Sequence, residues 1–260
     1  MILMPTVSEI YQYLNSILPT SLSCDWDNDG LMVCPDPDAP VKTILFALDI
    51  TPAVVAYAKE IGAELIISHH PLIFSGIRRM DGSDTTSRKV MALLQSGISA
   101  MSFHTRLDAA EGGINDILAS LIGLCDIEKF GAEGDLSARI GTLPQALWFD
   151  DFCKVVKVKL GAPSVIGAKA HEKVSRVAVL GGSGKDYIRA AQKMGADTFL
   201  TGEVNYNHLL EAAENGLSVV TAGHYHTEAP FTAFFEKALT EKFGSFTFVN
   251  FPTGCELYYI

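Results

Sequence analysis

His69 and His70 stand side by side where an apolar run ends, in Ile67-Ser68-His69-His70-Pro71. Two more histidines, His104 and His224, each precede an acid by four residues, Asp108 and Glu228. Imidazole nitrogens and carboxylate oxygens together form the donor set of zinc, iron, manganese, nickel and cobalt sites. Carboxylates can also bridge two ions about 3.5–4 Å apart. The pattern predicts a pair of divalent ions held by His69, His70, Asp108, His224 and Glu228, with His104 orienting a ligand through a second hydrogen bond. The competing reading of His69-His70 is a pair of satisfied core histidines. With a metal in place, His226 and Glu203 are the candidates for moving protons. His226 reads equally well as a solvated loop residue, and Tyr225 is open in the same way.

The elements that must carry these residues repeat. Residues 44–70 and 177–203 share one order: an apolar strand, a turn, a helix closed by glycine (Gly62, Gly195), then a second apolar strand. Thr51-Pro52 has the form of a helix start. The stretches Gln95–Met101 and Glu214–Val220 extend the echo, each a glycine-terminated helix running into a strand, with a histidine and an acid soon after. Strand–helix–strand order with apolar strands predicts an α/β protein of two related lobes, with mainly parallel sheets flanked by helices. The expected division is 1–130 and 170–260, each with half of the metal site. Residues 131–169 would form a linking hairpin or strand pair, on the alternation of Val155 to Leu160. Ligands gather beyond the carboxyl ends of parallel strands, which is where all the candidate histidines fall.

Two other segments carry polar groups near likely strand ends. Gly181-Gly182-Ser183-Gly184 offers backbone amides to an anion, or is a purely steric turn. Asp25-Trp26-Asp27-Asn28-Asp29-Gly30 reads as an Asx-capped turn in which Trp26 and Asn28 could face a ligand. Phe231-Thr232-Ala233-Phe234-Phe235 has helical apolar spacing and reads as core or subunit contact.

Composition limits the partners. The 260 residues carry a formal charge of −10, which repels phosphate backbones and anionic membranes, so nucleic acid is a poor partner. No stretch approaches the roughly 20 apolar residues of a membrane span, and the opening segment lacks the basic start of a signal peptide. Five scattered cysteines without a C-x-x-C pair fit reduced thiols, and so a cytoplasmic protein.

Taken together, Ile67–Pro71, His104-Thr105-Arg106-Leu107-Asp108-Ala109-Ala110 with Gly112-Gly113-Ile114-Asn115-Asp116, and Gly223-His224-Tyr225-His226-Thr227-Glu228 resemble the Nif-three-like dinuclear metal-centre family, the GTP cyclohydrolase 1 type 2 homologues. Trp26–Leu31 and Thr201-Gly202-Glu203 join the resemblance, which runs over nearly the whole chain. It implies the same five metal ligands, with His104 on the family's H-x-x-x-D motif. It also implies a two-lobed α/β fold without the inserted domain of longer members, and a homohexamer built as a trimer of dimers. By resemblance the activity is that of a metal-dependent hydrolase of a nucleotide or another phosphorylated small molecule. The alternative is a non-catalytic regulatory or scaffold protein acting through protein partners. The chain departs from the family pattern in three places: Arg106 replaces an asparagine, Leu136–Leu143 lacks the first two glycines of G-x-G-R-x-G-x-L, and Glu203 stands for an aspartate in T-G-D. A guanidinium at 106 calls for an anionic partner or an outward path.

Overall fold

The computed structural model describes residues 4–132 and 135–251, so Cys255 lies outside the described residues. The chain forms two compact units, residues 4–107 with 232–251, and residues 108–231.

The first unit opens with α1 (Val7–Ile17), whose start is closed by a reciprocal cap between Thr6 and Glu9. The strands and helices that follow are β1 (Gly30–Val33), β2 (Thr43–Ala47), α2 (Pro52–Ile61), β3 (Leu65–Ser68), α3 (Thr85–Ser96) and β4 (Ser99–Ser102). The short α4 (Thr105–Ala109) leads out of this unit. Helix α2 begins at the predicted Thr51-Pro52 and stops at Gly62, which takes φ +65°, a left-handed conformation that glycine adopts without strain.

The second unit contains α5 (Ile114–Leu121), β5 (Cys125–Phe130), β6 (Ala138–Trp148), α6 (Phe149–Lys159), β7 (Ile166–Ala168) and β8 (Lys173–Ser183). It continues through α7 (Ile188–Lys193), β9 (Thr198–Glu203), α8 (Tyr206–Glu214), β10 (Ser218–Thr221) and α9 (His224–Glu228). The chain then returns to the first unit as α10 (Phe231–Phe243) and β11 (Thr247–Asn250).

Sheet order in the first unit is β1-β4-β3-β2-β11, with β1 antiparallel and the remaining neighbours parallel. Alternation sorts its residues. Leu45, Ala47, Ile66 and Ala100 pack with Val54, Ala58, Val90 and Leu93 of α2 and α3. Phe46, pointing to the opposite face, meets Phe235 of α10 at 6.2 Å between ring centroids. The apolar run 231–235 is therefore core: Phe231 and Phe235 are buried.

The second sheet runs β5-β6-β8-β9-β10-β7, parallel at β8-β9 and β9-β10 and antiparallel at its margins. Val177, Val179, Leu200 and Val220 cover one face with α5 and α6, while Ala178, Leu180, Phe199 and Val219 face α7 and α8.

The α/β class matches the sequence expectation, but the lobe boundaries do not. The expected C-terminal lobe of 170–260 loses its last strand, because Thr247–Asn250 pairs in register with Thr43–Phe46 of the first sheet. The expected linker 131–169 is structural. Its first part is β6, paired to both β5 and β8, and the alternating Val155–Leu160 stretch lies largely within helix α6. Phe149, Phe152 and Val156 bury one helical stripe there, Asp150 and Asp151 occupy the first turn and Lys157 and Lys159 the last, a charge order that favours a helix over a hairpin. Among the described residues no helix is long and apolar enough to cross a membrane.

Candidate metal centre

Three parallel strands bring the first cluster together. Asp49 follows β2, His69 and His70 follow β3, and His104 follows β4; Ser68 and Ser102 lie level with one another in the β3–β4 register. The ligand-capable nitrogens of His69, His70 and His104 all lie within 4.8 Å of one another. Each ring is held by its Nδ1. His69 Nδ1 is 3.0 Å from the Phe103 carbonyl oxygen, His70 Nδ1 2.9 Å from Asp49 Oδ1, and His104 Nδ1 3.0 Å from Asp27 Oδ1. A carbonyl oxygen only accepts, so His69 carries its proton on Nδ1, and its Nε2 lone pair is turned away from that contact. Carboxylates orient His70 and His104 in the same way. Beneath them Ser68 Oγ donates to the His70 carbonyl at 2.8 Å and accepts from Ser102 Oγ at 2.9 Å, which fixes the strand ends.

His104 is thus a full member of the histidine cluster, while the orienting part expected of it falls to Asp27, Asp49 and Phe103. The sequence places Asp27 in an Asx-capped turn without this role, and Asp49 carries no motif there. The available signal is position: Asp49 follows a strand neighbouring the one that leads to His70. Burial alone would raise the Asp27 carboxyl, but hydrogen bonds from His104 and Thr105 outweigh it and hold Asp27 well below the usual carboxylate range. Asp27 therefore remains an anionic acceptor for His104.

Arg106 neither points outward nor waits for a substrate. It is fully buried, with Nε 2.9 Å from Asp29 Oδ2 and Nη2 2.6 Å from Asp29 Oδ1. Its Nη1 donates to Asn15 Oδ1 and to the Leu18 carbonyl, at 2.9 and 2.8 Å. Asp29 also accepts from the His104 amide at 3.2 Å, so this ion pair anchors the backbone that carries His104.

The second cluster lies beyond β8, β9 and β10. Glu203 Oε1 is 3.1 Å from His224 Nδ1, and His224 Nε2 is 3.0 Å from Glu228 Oε2, one helical turn along α9. A divalent ion suits the same pair of donors. The turn at 181–184 supports them from below. Its amides are already committed: Gly181 N donates to Asn115 Oδ1, Gly182 N to Thr227 Oγ1 and Gly184 N to the Glu203 carbonyl, at 2.8, 3.1 and 3.2 Å. The anion-cradle reading of this turn therefore gives way to the steric one.

Asp108 sits on α4, with Asn115 Nδ2 3.4 Å from its carbonyl oxygen. The segment that follows it is pinned by Arg139, which forks onto Asp116 at 2.6 and 3.0 Å and donates to the Ala110 carbonyl at 2.7 Å. His226 bonds to the backbone of Leu160, and burial lowers its pKa below the ordinary histidine value. Its ring lies edge-on to Tyr225 at 5.4 Å. Two positions along α9 from His224, it lies on the opposite side of the helix from that ligand candidate.

Both units therefore present a histidine–carboxylate cluster at the carboxyl ends of their parallel strands. The family model described as Duf34/NIF3 (NGG1p interacting factor 3) matches residues 5–253. A Clostridium perfringens protein named GTP cyclohydrolase 1 type 2 homolog is 32% identical over 230 residues, 86% of this chain and 87% of its own length. The Drosophila melanogaster NIF3-like protein 1 is 30% identical over 86% of this chain and 78% of its own. Among solved structures, Staphylococcus aureus SA1388 superposes with a TM-score of 0.89 at 25% identity, covering 99% of this chain and 100% of that one.

Proposed function

The chain belongs to the Duf34/NIF3 family, and from that premise we propose that it is a dinuclear metal-binding protein whose ions are held by His69, His70, Asp108, His224 and Glu228, with His104 as a further ligand. The observation that carries this reading is the Nδ1 pattern. His69, His70, His104 and His224 each engage a protein oxygen through Nδ1, the arrangement by which proteins orient metal-binding imidazoles. Neutral nitrogen donors with carboxylates and no thiolate suit zinc, iron, manganese, nickel or cobalt. Cations bound there would supply Lewis acidity for a hydrolase acting on a nucleotide or another phosphorylated small molecule. Glu203 orients His224 and can accept its Nδ1 proton, while Asp27 and Asp49 hold the imidazoles of His104 and His70 in one tautomer. His226, bonded to the Leu160 backbone, has a supporting place in this scheme. The homohexamer implied by the family is part of the same proposal and is read by light scattering.

Elemental analysis after equilibration with zinc or manganese and gel filtration tests the metal reading. About two equivalents per chain are expected, and a protein that retains neither metal ends the proposal. Asp27→Asn and Asp49→Asn are each expected to weaken metal binding by about 10- to 100-fold with the fold intact, measured by competition against a chromogenic chelator. Unchanged affinity in both would show that the carboxylates do not orient ligands. For the hydrolase reading, metal-loaded protein is incubated with GTP and a panel of phosphate esters. Turnover no greater than that of the metal-free protein would remove it for those compounds.

A further inference from the structure

Beside the three imidazoles of the first unit stands an indole that the core does not use. Trp26 is 61% exposed and Phe74 is 55% exposed, their ring centroids 6.1 Å apart and their planes tilted by 46°. Trp26 also meets His104 edge-on at 5.9 Å. An exposed tryptophan on a slack loop would be unremarkable, but this one is held rigidly on both sides. Before it, the Cys24 amide donates to Thr105 Oγ1 at 2.9 Å. After it, Asp27 accepts from Thr105 N and Thr105 Oγ1 at 3.1 and 2.6 Å, and Asn28 Nδ2 donates to the Ile73 carbonyl at 2.5 Å. That last bond joins the Trp26 loop to the loop of Phe74. The hydrogen bonds that fix His104 therefore also keep the Trp26 ring in water next to it, with Phe74 beside Trp26.

We infer that Trp26, backed by Phe74, is a stacking platform for a planar heteroaromatic ring, the base of a nucleoside or nucleotide. The identity of that ligand as a substrate rests on the proposed function; the ring contact itself does not. A flat π-face at a fixed tilt accepts any base by stacking and places it edge-near His104. Arg78 and Arg79 follow Phe74 on the same loop and are exposed. On a chain of net charge −10, two such cations favour a ring that carries phosphate over an apolar protein surface.

The chain has two tryptophans, Trp26 and Trp148, and Trp148 lies in another part of the fold beneath Lys173. Trp148→Phe makes Trp26 the sole indole reporter. Guanosine, adenosine and GTP are titrated into this variant with and without zinc, with ribose 5-phosphate as the ring-free control. Saturable quenching by the three ring compounds and none by ribose 5-phosphate is expected. In an otherwise native chain, Trp26→Ala should weaken GTP binding about tenfold or more by calorimetry, Trp26→Phe much less, with zinc content unchanged in both. Absence of quenching by every ring compound overturns the inference. So does an emission that responds only to protein dilution, since a second copy would then cover Trp26. Zinc content is read separately: if the protein holds no zinc, the metal proposal fails while the quench still decides the platform.

Discussion

Arg106→Ala is expected to destabilise the protein by about 3–5 kcal/mol, the cost of leaving one member of a buried ion pair without its partner. The guanidinium is fully buried and Asp29 is 3% exposed, so water cannot replace what the substitution removes. Five contacts go at once: two to Asp29, one each to Asn15 and the Leu18 carbonyl, and the stacking of the guanidinium over Phe103 at 5.0 Å. At about 2–4 °C per kcal/mol, the melting temperature falls by roughly 10 °C. Arg106→Lys rescues little, because an ammonium cannot make the paired contact to Asp29 and still reach Asn15 and Leu18. Combining Arg106→Met with Asp29→Leu should cost less than the sum of the two single changes, since no charge is then stranded. A shift below about 1 kcal/mol for Arg106→Ala would show that the buried pair is not the anchor of the His104 segment.

Gly182→Ala is expected to destabilise the second cluster by roughly 2–5 kcal/mol, from two sources. Gly182 has φ +65°, which costs an L-residue about 1–2 kcal/mol. A Cβ there would also run into Glu228 Oε1 and lie 3.2 Å from His224 Nε2, an overpacking worth a further ~1–3 kcal/mol. Glu228 must move, so its contact with His224 is lost along with the backbone preference. The double-mutant cycle separates the two sources: in a Glu228→Ala background the same glycine substitution should cost only the backbone share, read by urea unfolding. Equal costs in both backgrounds would mean that the turn does not shape the position of Glu228.

Much of the site was legible because it is local. Histidines at the ends of apolar runs and acids one helical turn beyond them mark strand ends wherever those strands later pack. The glycines at 62 and 97 announce helix ends through a backbone conformation that needs no distant partner; both take left-handed angles. Residues 155–160 misled because alternation over six positions fits a strand, while the buried stripe that settles the helix begins at Phe149, outside that window.

The sequence by itself determined the α/β class, the strand–helix units that carry the histidines and the residues that are candidates for metal donors, since these follow from residue type and from periodicities of a few positions. Only the tertiary structure decided what those residues touch. Arg106 finds Asp29 across 77 positions, His70 finds Asp49 across 21, and Thr247–Asn250 joins the first sheet beside residues two hundred positions away. Such pairings are selected by burial, which leaves a charge or a strand edge no water to fall back on. That selection acts on the folded chain as a whole and leaves little trace in any short stretch of it.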